Sequence, residues 1–315
     1  MVERVDDSVA VVGLGLIGGS VARALVVRGV RVRGAAESAD DRRQAAQIGV
    51  EVAGDAASVA VGETAPGLVL IAAPLGAVGR IARRLLPLLP PETVVLHAAG
   101  LQSRSAIALS DAEHERVLGT HPLAGSHDAG FSASSDGLFA GATVCAESRA
   151  GEIQRARLEW LWRMVGATTI EYQDAESHDA TMAWASHLPQ LASTALAATL
   201  AHRGVPATAG GAGLRDATRL AASPMAIWRD VLRSAPPDTA EALAVLGEIV
   251  ELMRAAVAGR DEAALAGVWE RARDWRRADV AAAPDVRVPH PTPADGERRR
   301  GVREPAAAIA RGARW

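Results

Sequence analysis

The sequence predicts an α/β chain: a doubly wound, mostly parallel sheet over residues 1–150, an all-helical part over 151–280 and a tail over 281–315. Three observations carry this. Short apolar runs of strand length alternate with helical runs from Ser8 to Ala146. A glycine-rich turn, Gly13-Leu-Gly15-Leu-Ile-Gly18, joins the first strand-like run to the first helical one. Beyond residue 150 the strand signals fade and long, alanine-rich helical patterns take over.

In order along the chain, Ser8–Val12 reads as a short buried strand and Val21–Arg28 as the helix after it. Val30–Ala35 is the second strand and Asp40–Ile48 the second helix. Leu68–Ala73 and Thr93–His97 are further strands, with the helical segment Val78–Leu86 between them. Strands that alternate with helices imply right-handed crossovers and helices on both faces of a parallel sheet. Ala142–Ala146 is expected to be the strand that closes this domain. The helical part reads as Glu152–Val165, Ala175–Ala201, Pro224–Arg233, Thr239–Val257 and Asp261–Ala278. Helices so long and alanine-rich bury themselves by packing on one another, often across a subunit interface, so a homodimer is expected. The Pro-, Arg- and Ala-rich tail has no hydrophobic period and is expected to be mobile.

Composition narrows the function. A formal net charge of -3 gives no overall electrostatic case for nucleic acid or an acidic membrane surface. No run of about 20 apolar residues occurs to span a bilayer, and acids rather than a basic segment precede the first strand, so a cytoplasmic location is expected. The single cysteine, Cys145, lies in an apolar run and reads as a buried structural thiol. The chain contains no lysine, which removes Schiff-base chemistry and the phosphate-binding lysine of a P-loop. No metal site is expected.

The glycine turn lies between a strand and a helix, which is the setting of a Rossmann-type dinucleotide site. Gly13 allows the tight turn, Gly15 lets backbone approach a pyrophosphate, and Gly18 lets helix pack closely on strand. Leu16 and Ile17, within this turn, are further candidate cofactor contacts, and the N-terminus of the helix that follows offers phosphate unpaired N–H groups and a positive dipole end. Glu37, after the second strand, is the candidate for a ribose 2′-hydroxyl, and so NAD is favoured. NADP stays open because Arg42 and Arg43 could serve a 2′-phosphate, although a solvated helix face suits them better. Ala73 and Pro74 are expected to border the nicotinamide.

One stretch goes further: Gly119-Thr-His121-Pro122-Leu-Ala-Gly125-Ser126-His127-Asp128-Ala-Gly130. Together with GLGLIGGS, with His178-Asp179, with Ser186-His187-Leu188-Pro189-Gln190, and with the run from Gly213 through Arg215, Asp216 and Arg219 to Ser223, it closely resembles the prephenate and arogenate dehydrogenase family. The resemblance spans roughly residues 8 to 280. It implies oxidative decarboxylation of prephenate to 4-hydroxyphenylpyruvate, with hydride passing to NAD and the ring carboxylate leaving as carbon dioxide.

On that resemblance His121 is the catalytic acceptor of the substrate hydroxyl proton, and neutral imidazole suits the task near neutral pH. Arg219 is the substrate arginine, its planar fork matched to a carboxylate, and the alternative for it is an ion pair with Asp216. Ser186 and Gln190, four apart, are expected to share a helix face toward the cleft, with His178 at the start of the same helix and His127 near the pocket mouth. Pro189 is expected to kink that helix. His187 reads as a packing histidine and Trp228 as core.

Three positions depart from the family. Leu101, in Ala98-Ala99-Gly100-Leu101-Gln102-Ser103, replaces a serine expected to steady the catalytic histidine. Gln190 stands where many relatives have histidine, and His127 where some have an acid. Arogenate or a 4-amino-4-deoxyprephenate-like substrate therefore remains open beside prephenate, as does a non-catalytic cofactor-binding sensor. The β-hydroxyacid dehydrogenases share the two-domain plan but usually rely on a lysine, which this chain lacks.

Overall fold

The computed structural model describes residues 8–61, 65–125 and 128–282. Strand β1 (Ser8–Val12) is buried at all five positions and passes through the glycine turn into helix α1 (Leu16–Val27). β2 (Arg31–Ala35), α2 (Ala39–Gln47) and the two-residue β3 (Glu51–Val52) follow. Ser38 starts α2: its hydroxyl accepts the Asp41 N–H at 3.1 Å, and Asp40 and Asp41 sit at the positive end of the helix. Next come β4 (Leu68–Ile71), α3 (Leu75–Leu85), β5 (Val94–His97), the short α4 (Arg104–Ile107) and α5 (Asp111–Arg116). β6 (Val117–Pro122), β7 (Thr143–Glu147), α6 (Glu152–Met164) and β8 (Thr169–Gln173) complete the sheet region.

The remainder is helical. α7 (Ala175–Met182) runs through a π-helical turn, Ala183–His187, into α8 (Leu188–His202). α9 (Ala212–Thr218), a 3₁₀ turn (Arg219–Ala222), α10 (Met225–Arg233), α11 (Asp238–Gly259) and α12 (Glu262–Ala282) follow. The residues up to Trp269 form one compact unit, and α12 continues beyond it into a second.

The eight strands are ordered β3-β2-β1-β4-β5-β6-β7-β8, parallel throughout except where β7 runs antiparallel to β6. Both faces are covered, as the near-continuous apolar strands require. Val9 and Val11 of β1 belong to one core cluster, with Leu25 of α1 and Trp162 of α6; Ala10 and Val12 belong to the other, with Val78 and Ala82 of α3. The alternation is the two-residue period of a strand. Trp162 is fully buried and meets Phe139 edge-on, with ring centroids 5.4 Å apart. At about 25 cal/mol per Å² its burial contributes on the order of 4 kcal/mol.

Three expectations need correction. The sheet does not end at Ala142–Ala146, since α6 buries Leu158, Leu161 and Trp162 against it and β8 adds an eighth strand. Glu152–Val165, expected among the helices, instead lays its apolar stripe on the sheet. The helix expected over Ala175–Ala201 is one path with a π turn inside it, ending two residues before Pro189. Of the expected tail, Ala281 and Ala282 are helical, and 283–315 lie outside the described residues.

Apolar side chains remain uncovered on the later helices. Met225 and Ile227 of α10 and Val250, Leu252 and Val257 of α11 are exposed. Among the described residues no helix is long and apolar enough to cross a membrane.

Candidate active site

At the carboxyl ends of β1, β2 and β4 lies a cavity of about 670 Å³. Its lining includes Gly13, Gly15, Glu37, Ala73 and Pro74, joined by Asp230 from α10. The size and the position at the switch between β1 and β4 are those of a nucleotide crevice. Gly13 has φ +97°, and a Cβ there would run into the Ala72 carbonyl. A Cβ on Gly18 would strike the Gly13 carbonyl, so strand and helix touch only because both are glycine. Gly15 has nothing within 4 Å of its Cβ position, and as the N-cap of α1 it offers no side-chain cap. The first N–H groups of the helix, at Leu16 and Ile17, thus lack intrahelical acceptors and sit beside open space. These features fit a dinucleotide pyrophosphate.

At the far end, Glu37 is exposed beyond β2. Arg42 is not on a solvated face: it is half-buried, and its guanidinium donates to the Ala36 and Glu37 carbonyls at 2.5 and 2.9 Å. Arg43 is paired with Asp40. Both arginines are thus engaged within the chain, and a carboxylate stands at the tip of β2.

The second part of the site is a chain of hydrogen bonds. Near the end of β6, His121 Nδ1 lies 3.1 Å from His178 Nε2, with the two rings edge to face. His178 Nδ1 lies 2.8 Å from Asp179 Oδ1. Asp179 also accepts the backbone N–H groups of Gln102 at 2.8 Å and Ser103 at 2.9 Å. His178 is 0% exposed and Asp179 2%. Burial, followed by the neighbouring His178, pushes His121 down to about 4, so its ring is neutral at physiological pH. His121 nevertheless keeps part of its surface open, and its Nε2 faces Gly100, where a Cβ would be 3.8 Å away.

The strand around His121 is held firmly. Thr120 donates to the His97 carbonyl at 2.8 Å, and the buried Glu147 accepts the Gly119 N–H at 2.8 Å and Arg149 at 2.6 Å. His97 is completely buried, and that burial pushes it down to about 3. Cys145, opposite His121 across the β6–β7 pair, is buried as expected, which pushes its thiol up.

The other expected site residues fall differently. His178 does not face the cleft: its ring is enclosed and both nitrogens have partners. Gln190 is buried, and its amide donates to the Leu220 carbonyl at 2.9 Å, while the Ser193 hydroxyl accepts the Ala221 N–H at 3.2 Å. These two α8 residues therefore clamp the turn that begins with Arg219. Arg219 itself is exposed and, among the described residues, has no hydrogen-bond or ion-pair partner, so the pairing with Asp216 does not form. Ser186 is half-buried within the π turn, where four-residue spacing no longer sets a common face with Gln190. Leu101 is fully buried in the core with α3, and Gly100 rather than Leu101 is the neighbour of His121 Nε2. His187 packs as expected, with Thr239 Oγ1 at 2.9 Å and half-buried Trp228 edge-on. His127 lies outside the described residues.

Sequence reasoning missed Asp179 as a partner of the site, along with Asp230. An acid directly after His178 was the available signal for the first; nothing local announced the second.

Comparison with known proteins agrees with this architecture. Residues 21–171 match the model of the prephenate dehydrogenase nucleotide-binding domain, and 174–269 that of the prephenate dehydrogenase dimerization domain. The chain is 29% identical to a cyclohexadienyl dehydrogenase of Zymomonas mobilis over 265 residues, covering 80% of this chain and 89% of the relative. It is 27% identical to a prephenate dehydrogenase of Bacillus subtilis over 241 residues, covering 73% of this chain but 64% of that longer relative. The solved prephenate dehydrogenase of Aquifex aeolicus, in complex with hydroxyphenyl propionate and NAD+, superposes with a TM-score of 0.76 at 25% identity, covering 87% of this chain and 98% of the other. The glycine crevice, the histidine on β6 and two family domains in matching order lead to one conclusion: the chain belongs to the prephenate dehydrogenase family.

Proposed function

We propose that this protein is an NAD-dependent prephenate dehydrogenase, with His121 as the group that takes the substrate hydroxyl proton. The observation that carries the reading is the state of His121: a half-buried, neutral imidazole with Nδ1 against His178 and Nε2 turned toward Gly100. A neutral ring can accept a proton where an imidazolium cannot. Gly13, Gly15, Leu16, Ile17 and Gly18 would hold NAD, with Glu37 at the ribose and Ala73 and Pro74 toward the nicotinamide, and the cofactor would supply the hydride acceptor. Arg219 serves the substrate carboxylate. Its unpaired guanidinium and its clamped turn support that role. Ser186 borders the substrate, whereas Gln190 and His178 act from behind it.

The exposed apolar residues of α10 and α11 support a homodimer formed through the helical part, which matches a dimerization domain. A cytoplasmic enzyme of tyrosine biosynthesis fits this reading.

Absorbance at 340 nm with purified protein and NAD, offering prephenate, arogenate and 4-amino-4-deoxyprephenate in turn, tests the assignment. Rapid reduction with prephenate is the expected result. Reduction only with an amino substrate would move the enzyme to another pathway, and silence with all three despite NADH binding would refute catalysis.

A further inference from the structure

We propose that Asp179 and His178 are positioning residues that fix His121 as the Nδ1–H tautomer, leaving Nε2 as the proton acceptor, and hold the charge His121 gains during turnover. The inference rests on the reading of His121 as the acceptor. It follows from the fixed end of the hydrogen-bond chain. Asp179 accepts two backbone N–H groups, from Gln102 and Ser103, so its carboxylate is an acceptor throughout. Burial raises its carboxyl, but the bonds from His178, Ser103 and Gln102 outweigh this and leave it below its usual value. The nitrogen of His178 that faces Asp179, Nδ1, must therefore carry a proton. With one proton per ring, His178 Nε2 is a lone pair, and His121 Nδ1 must donate to it across 3.1 Å. His121 Nε2 is then the lone pair on the Gly100 side.

The same chain suits the reacting state. As hydride leaves the hydroxyl-bearing ring carbon, the hydroxyl proton moves to His121 Nε2 and its O–H pair becomes the second bond of a carbonyl. When the carboxylate carbon departs as carbon dioxide, its bonding pair enters the ring, and the proton returns to the oxygen of the new phenol. His121 is an imidazolium only in between. Its Nδ1–H keeps the same partner throughout, so no ring has to turn, and the Asp179 carboxylate stands one imidazole away. The titratable groups facing His121 are His178 and Asp179 from α7, His187 from the π turn and His97 from β5. Asp179 is the one anion among them.

The test combines tautomer and turnover. In full-length protein labelled with ¹⁵N-histidine, the His121 resonance, assigned by its loss in His121→Asn, is expected to report Nδ1 protonated and Nε2 bare. A resting Nε2–H would overturn the proposal without any variant having to fold. Asp179→Asn replaces an acceptor with an amide that must present a donor to Ser103 N–H, or to Gln102 N–H and His178. It is expected to lower kcat by about 100-fold or more, with KM and NADH affinity within about threefold and with altered His121 tautomer signals. Unchanged kcat and tautomer in Asp179→Asn, while His121→Asn abolishes turnover, would overturn the relay and leave the acceptor in place. Undiminished turnover in His121→Asn would instead remove the acceptor reading itself.

Discussion

Lowering the pH separates a buried catalytic histidine from an ordinary one. An exposed imidazole with its usual value near 6.5 is about 3% in the base form at pH 5. His121, pushed down to about 4 by burial and by His178, is about 90% in the base form at the same pH. The sign is that of a depressed cation: the neutral, accepting form persists as pH falls, and protonation sets in only near pH 4. The predicted profile of kcat/KM, which reports the free enzyme, is therefore flat from pH 7.5 to 5, falling less than about twofold. An ordinary histidine would give about a 30-fold loss over that range. Initial rates of NADH formation at 340 nm, corrected at each pH for spontaneous loss of substrate, measure it. An acid limb with an apparent pKa near 6.5 would refute the argument, because either His121 is solvated or another group sets the limit.

Three further outcomes are expected. Gly13→Ala forces a side chain into a φ of +97° and against the Ala72 carbonyl, so NADH affinity by fluorescence titration should fall at least about tenfold, and unchanged affinity would dissociate this turn from the cofactor. Gln190→Leu leaves the Leu220 carbonyl without its donor, costing about 1–3 kcal/mol in thermal unfolding and raising the KM for prephenate several-fold while the KM for NAD holds; an unchanged prephenate KM would free Arg219 from dependence on this clamp. Arg219→Gln removes a cation that has no partner within the protein, so the melting temperature should stay while prephenate KM rises about 10- to 150-fold; a lower melting temperature with constant KM would make it a structural residue.

The first half of the sheet was legible because β1, β4 and β5 are largely apolar runs punctuated by glycine or proline, and β2, despite Arg31 and Arg33, follows the Gly29 turn after the first helix. β6 was not, since Val117 follows α5 with no turn residue between them and the strand contains Gly119 and ends on Pro122. β8 did carry a signal, in Thr169, Ile170 and Tyr172, but it is an edge strand with half its residues turned outward, and its period is weak. The cofactor turn was readable from local spacing alone. The His121 chain was not, because Gln102 and Asp179 meet across 77 positions of sequence. Gln190 misled for the opposite reason: an amide has the same chemistry whether it faces a substrate or a backbone carbonyl, and only burial tells the two apart.

The π turn at Ala183–His187 sets how the chain tolerates changes of length. A π turn carries one residue more than the α-helical path it replaces. Deleting one residue there would leave a regular helix whose two flanks keep their relative rotation. Deleting one between Leu188 and Gln190 would turn everything after it by about 100°. Gln190 and Ser193 would then swing away from Leu220 and Ala221, and Arg219 would lose its support. The segment between the buried histidine and the arginine turn therefore has one joint at which a residue can be gained or lost, and on either side of it the count is fixed.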